Sequence, residues 1–204
     1  MNESDLITNE NNEFKHNKKA QKEEPSLLKT LIIDAAIAVA VALLITTFIA
    51  RPTIVKQSSM EDTFHQNDYV FLSKLSYVGN KTPQRGDVIV FKSDLVNEEN
   101  GGSKLLIKRV IGIPGDTIQI KNDQLILNGE IYEEDYIKDG ITPPGNNPAD
   151  GEIFTVPDDE YYCMGDNRVV SLDSRYSDVG TITEDEIVGK AVLRLYPFNK
   201  IQTF

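Results

Sequence analysis

Apolar and polar residues follow different patterns before and after residue 50. The run Leu31–Ala50 carries a single charge, at Asp34, and as a helix it is about 30 Å long, the thickness of a bilayer core. Residues 1–30 are polar and rich in lysine, which predicts a disordered tail on the cytoplasmic side. The pattern therefore predicts three parts: the tail (1–30), a transmembrane signal anchor (31–50) and a domain on the outer face of the membrane (51–204).

Beyond residue 55, short apolar runs rich in β-branched and aromatic residues alternate with turn signals, which is typical of strands. The predicted strands are Tyr69–Leu75, Asp87–Lys92, Leu105–Ile113, Asp116–Ile120, Gln124–Asn128, Glu160–Met164 and Ile187–Pro197. Asn128–Gly129 is a strong hairpin signal, and residues 182–187 can form one helical turn at most. The pattern predicts a mainly β fold: one N-terminal helix, then an all-β domain of antiparallel sheets with small loop insertions near 93–104 and 133–156.

Composition narrows the classes of function. The 204 residues are 40% apolar and 26% charged, an ordinary globular balance, and the net charge of −11 argues against a nucleic-acid partner. One cysteine, Cys163, and two histidines make a zinc site improbable, and no glycine-rich phosphate loop is present. We therefore expect no metal and no cofactor.

The segment VKQSSM contains two adjacent serines, Ser58 and Ser59, either of which can be a nucleophile. His65 lies in a polar stretch typical of an exposed turn, which leaves a carboxylate or a lysine as the base. Lys108 differs from the other lysines because it interrupts the apolar strand LLIKRVIGI. A lysine with an ordinary pKa of ~10.4 is almost never neutral at pH 7, but burial lowers that pKa by several units. A lysine at a strand edge, with its amine in solvent, is an equally good interpretation of this pattern.

A third polar stretch, Met164–Gly180, has the sequence MGDNRVVSLDSRYSDVG. If it is extended, Ser171, Asp173 and Arg175 share one face. A hydroxyl group there can orient a lysine amine, and the Asp–Arg pair can brace the site. Taken alone, the stretch is better interpreted as a turn followed by a polar strand.

Together these motifs resemble those of bacterial type I signal peptidases, which are serine proteases with a membrane anchor. SSMEDTF is similar to their S-x-M-x-P-T motif, IKRVIGIPGD to their lysine motif, and MGDNRVVSLDSR to their M-G-D-N-R-x-x-S-x-D-S-R motif. GDVIVF also fits, and the short chain resembles the Gram-positive form. The resemblance extends from Leu31 to the C-terminus.

The resemblance implies that Ser59 is the nucleophile, that Lys108 is the general base, and that Ser171 donates a hydrogen bond to the lysine amine. It implies that Asp173 and Arg175 shape the site. In the family the backbone N–H of the nucleophile forms the oxyanion hole with a group two residues earlier.

That group corresponds here to Gln57. Other residues match positions around the pockets for small substrate residues: Val55, Met60, Phe64 and Ile107. The implied activity is removal of signal peptides after A-x-A-like sites from secretory precursors, at the outer face of a lipid bilayer.

Two residues depart from the family motif: its proline is Asp62 here and its leucine is Phe64. Because Asp62 can form an Asx-type turn, we expect altered efficiency or substrate range rather than inactivity. A self-cleaving repressor would carry a DNA-binding module where this chain has an apolar run. An alternative stays open: a specialised or inactive relative that acts in the assembly of surface pili or fibres.

Overall fold

The computed structural model describes residues 27–44, 50–61, 63–98, 101–137 and 140–204, and the chain divides into two units, 1–43 and 44–204. The first unit contributes helix α1, Leu27–Leu44. Within the described ranges, no helix is both long enough and apolar enough to cross a membrane. Residues 45–49 of the anchor predicted over 31–50 lie outside the described residues, and Ala50, its last residue, begins the first strand.

The second unit is mainly β, as predicted, and its paired strands are antiparallel. Its strands are β1 Ala50–Ile54, β2 Tyr69–Ser73, β3 Val88–Val96, β4 Ser103–Gly112, β5 Thr117–Lys121, β6 Gln124–Leu127, β7 Glu130–Ile131, β8 Ile153–Thr155, β9 Glu160–Met164, β10 Ile182–Thr183, β11 Ile187–Tyr196 and β12 Gln202–Thr203. The larger sheet has the order β1-β2-β11-β3-β4-β9-β10, with β12 paired to β11, and the smaller sheet has the order β7-β6-β5-β8.

All seven predicted strands are present, six with a shifted end and Glu160–Met164 with the predicted ends. Of the strands that we missed, β7, β8, β10 and β12 have two or three residues each, too short for a periodic pattern to appear. The other missed strand, β1, has the sequence ARPTI, and a proline within a run argues against a strand. Asn128 and Gly129 both have positive φ angles, 53° and 84°, which suits the predicted two-residue hairpin between β6 and β7. A 3₁₀ helix at Glu184–Glu186 provides the expected single helical turn.

Three predictions about irregular segments need correction. The insertion predicted near 93–104 is narrower, because β3 runs to Val96 and β4 begins at Ser103. The insertion predicted near 133–156 includes β8. Residues 165–180 form turns rather than an extended strand, so the shared face of Ser171, Asp173 and Arg175 does not arise from strand periodicity.

Among the described residues, the apolar side chains of the larger sheet contribute to three buried clusters. The one that matters for the site contains Val55, Met60 and Phe64 from the connection between β1 and β2, together with Val90 of β3 and Ile107 of β4. Burial of these side chains fixes the β1–β2 connection against β4. That arrangement brings the two serines of VKQSSM to the strand that carries Lys108.

Candidate active site

Ser59 lies in a tight turn between β1 and β2, and Lys108 lies in the middle of β4. The amine Nζ of Lys108 donates a hydrogen bond to Ser59 Oγ at 2.7 Å and another to the Ile107 carbonyl at 3.1 Å. Lys108 is 0% exposed and Ser59 is 6% exposed. The structure therefore joins these two residues, 49 positions apart in sequence, in a buried pair.

Burial is the main reason why the Lys108 amine departs from ordinary lysine chemistry. Loss of solvent lowers the pKa of Lys108 to about 8, although the Asp173 carboxylate nearby opposes the shift. At pH 7 a group with that pKa is neutral in about one molecule in ten, against roughly one in 2,500 for an exposed lysine. A neutral amine at hydrogen-bonding distance can accept the hydroxyl proton of a serine.

The turn that follows β9 holds the backbone of the segment that contains Ser58 and Ser59. The N–H of Asn167 donates to the Ser59 carbonyl at 3.0 Å, and its side-chain amide donates to the Ser58 carbonyl at 3.3 Å. Gly165 fits between the two segments so closely that a Cβ there would lie 2.4 Å from the Ser59 carbonyl oxygen and 2.2 Å from Ser171 Oγ. Only glycine allows this approach.

We expect Gly165→Ala to lower the rate of catalysis by about 100-fold, because the added methyl group displaces the Ser59 backbone by a large part of an ångström. The measurement is the rate of cleavage of a secretory precursor, the substrate that the sequence resemblance implies, with Gly129→Ala as a control, since a Cβ at Gly129 meets nothing within 4 Å. Because Gly129 has a positive φ angle, Gly129→Ala carries a backbone cost of its own, but only Gly165→Ala should change the site. Equal activities in the two variants would contradict the prediction.

Asp173 and Arg175 form a fully buried ion pair beside the lysine. Arg175 Nε donates to Asp173 Oδ1 at 2.8 Å and its Nη2 donates to Oδ2 at 2.9 Å, while the Gly165 N–H donates to Oδ2 at 3.0 Å. Burial alone would raise the pKa of the Asp173 carboxyl, but the hydrogen bonds and charge of Arg175 hold it below its usual range. Asp173 is thus a fixed negative charge that acts on Lys108.

Arg175 also donates to carbonyl oxygens in two other segments. Nη1 donates to Pro143 at 2.8 Å, and Nη2 donates to Arg168 at 2.7 Å and to Ser171 at 3.2 Å, both in the turn after β9. The 140–151 loop, part of the insertion predicted near 133–156, packs here, because a Cβ at Gly145 would lie 2.0 Å from the Arg175 carbonyl oxygen. One guanidinium therefore ties together the turns behind the Ser59–Lys108 pair.

Ser171 lies at the site, but without the hydrogen bond that we expected. Its Oγ is buried and has no hydrogen-bond partner within the described ranges, while Lys108 bonds to Ser59 and Ile107 instead. A Cβ on Gly165 would come within 2.2 Å of Ser171 Oγ, so the hydroxyl borders the same space as the Ser59 backbone. Its role in orienting the amine stays a prediction.

A groove of about 410 Å³ is lined by residues close in sequence to Ser59 and Lys108, although neither of these two lines it. Its walls are residues 53–57, from the end of β1 into the connection that follows, and residues 104–107 of β4, together with Val90 and residues 97–98. Of the residues predicted to shape the substrate pockets, Val55 and Ile107 line this groove, as does Gln57. Met60 and Phe64 are instead fully buried in the core cluster beneath it.

Sequence reasoning missed a second polar cluster, which holds the turn that carries Ser59. Asp166 accepts hydrogen bonds from Arg109 Nη2 at 2.7 Å and from Thr63 Oγ1 at 2.5 Å. One feature of the sequence could have indicated this cluster. Successive side chains of a strand point to opposite faces, so Arg109 must point away from Lys108, toward a face where an acidic side chain can pair with it. Asp62, whose effect we predicted, lies outside the described residues.

The comparisons with known proteins agree on one class. The chain matches the family model described as signal peptidase, peptidase S26, over residues 28–196. It is 36% identical over 196 residues to signal peptidase I of Bacillus amyloliquefaciens, covering 90% of this chain and 98% of that one. It is 38% identical over 172 residues to signal peptidase I S of Bacillus subtilis strain 168, covering 81% and 88%.

A crystal structure of a signal peptidase I from Enterococcus faecalis V583 is 32% identical, covers 56% of this chain and 100% of that chain, and superposes with a TM-score of 0.40. The family model and the sequence relatives show that the chain is a peptidase of the S26 type. It belongs to the signal peptidase family.

Proposed function

We propose that this protein is a type I signal peptidase that removes signal peptides from secretory precursors after small, A-x-A-like residues, with Ser59 as nucleophile and Lys108 as general base. The observation that carries the proposal is the 2.7 Å contact between Lys108 Nζ and Ser59 Oγ in a buried site. The family membership supports the substrate class.

The proposed reaction is acyl transfer in two halves. The neutral Lys108 amine takes the proton of Ser59 Oγ, and the oxygen attacks the carbonyl carbon of the scissile peptide bond. The tetrahedral intermediate collapses when the ammonium of Lys108 gives the proton to the departing amine, leaving an ester on Ser59. Lys108 then deprotonates a water molecule that hydrolyses the ester and restores the serine. The backbone N–H of Ser59 and the amide of Gln57 are the proposed donors to the oxyanion.

The groove supports a substrate bound in an extended conformation. β4 pairs with β9 only from Arg109 onward, so residues 103–107 have no strand on that side among the described residues. An extended peptide can add to such an edge with main-chain hydrogen bonds, while alternate side chains enter pockets. Val55 and Ile107 narrow the groove, which favours small residues before the cut.

We propose that the segment 31–50 anchors the protein in the membrane, with the N-terminus in the cytoplasm and the catalytic domain on the outer face. Lysines are more frequent before this segment than after it, which supports that orientation. Ser59 lies nine positions beyond Ala50 in the sequence, which spans about 30 Å when fully extended. A signal peptide presents its cleavage site just beyond its own apolar run, at a comparable distance from the membrane.

The proposal predicts that cleavage accelerates with pH up to about 8 and then levels off, because only the deprotonated Lys108 amine is a base. The measurement is the pH–rate profile of the full chain in detergent acting on a secretory precursor, with the new N-terminus of the product identified by mass spectrometry. Ser59→Ala is the control and should give no product above background. A wild-type protein that leaves the precursor intact would favour the alternative of an inactive relative in fibre assembly.

A further inference from the structure

The C-terminal segment packs against the back of the turn that carries the proposed nucleophile. We call this segment, the 3₁₀ helix Phe198–Lys200 with β12 and Phe204, the C-terminal clasp, and we call residues 58–64 the Ser59 turn. We propose that the C-terminal clasp positions the Ser59 turn for catalysis, with Phe204 and Arg194 as positioning residues. This inference rests on the proposed function, to which it adds a further requirement.

The first contact is aromatic. The rings of Phe204 and Phe64 lie with their centroids 4.4 Å apart at an angle of 38°. Phe64 is fully buried, and Phe204 packs on the core cluster that also contains Met60 and Val55. The N–H of Phe204 donates to the Val192 carbonyl at 3.2 Å, which fixes the end of the chain on β11. The ring of Phe204 therefore closes the core beneath the Ser59 turn.

The second contact is a buried arginine shared by the two segments. Arg194 of β11 donates from Nη1 to the Thr63 carbonyl of the Ser59 turn at 2.6 Å. From its other nitrogens it donates to the Lys200 carbonyl and to Gln202 Oε1 of the C-terminal clasp, each at 2.8 Å. Its guanidinium also lies 5.7 Å from the Phe204 ring centroid. A single cation thus bridges the turn and the clasp.

These contacts reach the nucleophile through two short paths. The N–H of Phe64 donates to the Met60 carbonyl at 2.7 Å, and Met60 directly follows Ser59. Thr63 donates from its hydroxyl to Asp166, which is adjacent to Gly165, the residue packed against the Ser59 carbonyl. A shift of Phe64 or Thr63 must therefore move the backbone that aims Ser59 Oγ at Lys108.

The clasp also explains two departures of the sequence from the family motif. Phe64 stands where the motif has leucine, and its aromatic partner, Phe204, lies beyond residue 196, where the match to the family model ends. Asp62 stands where the motif has a proline, a residue whose fixed φ angle would stiffen the turn. The restraint that we propose for this turn includes the contact of Phe64 with Phe204, which lies outside the matched region.

The test compares Phe204→Ala, Phe204→Leu and the control Ile201→Ala in the full chain in detergent. Ile201 lies in the same segment but is 55% exposed, outside the contacts described above. We expect Phe204→Ala to lower kcat for precursor cleavage about tenfold with little change in KM, because misaligned reacting groups slow chemistry more than binding. Phe204→Leu should recover most of the loss, and Ile201→Ala should match the wild type.

Hydrogen–deuterium exchange of the same proteins gives a readout independent of activity. Phe204→Ala should speed exchange in peptides that cover the Ser59 turn, and Ile201→Ala should not. Unchanged kcat in Phe204→Ala, a change confined to KM, or unchanged exchange in the Ser59 turn would overturn the proposal. If the wild type itself does not cleave, the proposed function fails, and the exchange data alone then decide whether the clasp restrains the turn.

Discussion

Lys108→Met should lose at least about 1,000-fold in precursor cleavage while the protein stays folded. Methionine has a similar length and fills the buried volume, but it cannot accept the proton of Ser59 Oγ, and general-base catalysis typically contributes factors of this size. The measurement is kcat/KM at pH 8, with Lys121→Met as the control, because Lys121 is exposed at the end of β5 in the smaller sheet and does not line the groove.

The same substitution should raise stability at neutral pH. The pKa of Lys108 is lowered in the folded protein to about 8 from 10.5, so the unfolded chain binds more protons between these two values. The free energy of unfolding of the wild type therefore rises with pH across that window, and below it the buried ammonium costs up to about 3 kcal/mol. Lys108→Met removes that cost, so urea denaturation at pH 7 should show a gain that shrinks toward pH 10.5. A loss of stability together with retained cleavage would refute the assigned base.

Arg175→Met should produce the largest loss of stability of any single substitution considered. It leaves the Asp173 carboxylate buried without its cation and removes the donors that bind the Pro143, Arg168 and Ser171 carbonyls. Breaking a buried pair in this way typically costs 3–5 kcal/mol. The measurement is the free energy of unfolding from urea titration at pH 7 in detergent.

Lys190→Met is the matched control for this prediction, because its ion pair with Asp87 is 2.6 Å long and partly exposed. A pair of that kind contributes at most about 1 kcal/mol. Similar losses in the two variants would mean that the Asp173–Arg175 pair does not brace the turns behind the site.

Much of the fold follows from local pattern. Short apolar runs rich in β-branched residues, Val88–Phe91 and Leu105–Ile111, indicated strands, and in the structure most of their residues are buried. Asn128–Gly129 indicated a hairpin because both residues tolerate positive φ angles. The short strands were not predictable, since β7, β10 and β12 have two residues each and exist only because a neighbouring strand offers hydrogen bonds.

For the candidate site too, some features follow from the sequence and others from the tertiary structure. The sequence determined which residues have the right chemistry: a serine pair near an apolar run, a lysine inside an apolar strand, and an Asp–Arg pair in a polar turn. Only the tertiary structure decided that Ser59 meets Lys108, and that Arg194 and Phe204 reach the Ser59 turn. The physical reason is that residue type and local periodicity fix which side chains must be buried, whereas their partners depend on long-range packing that no local pattern records.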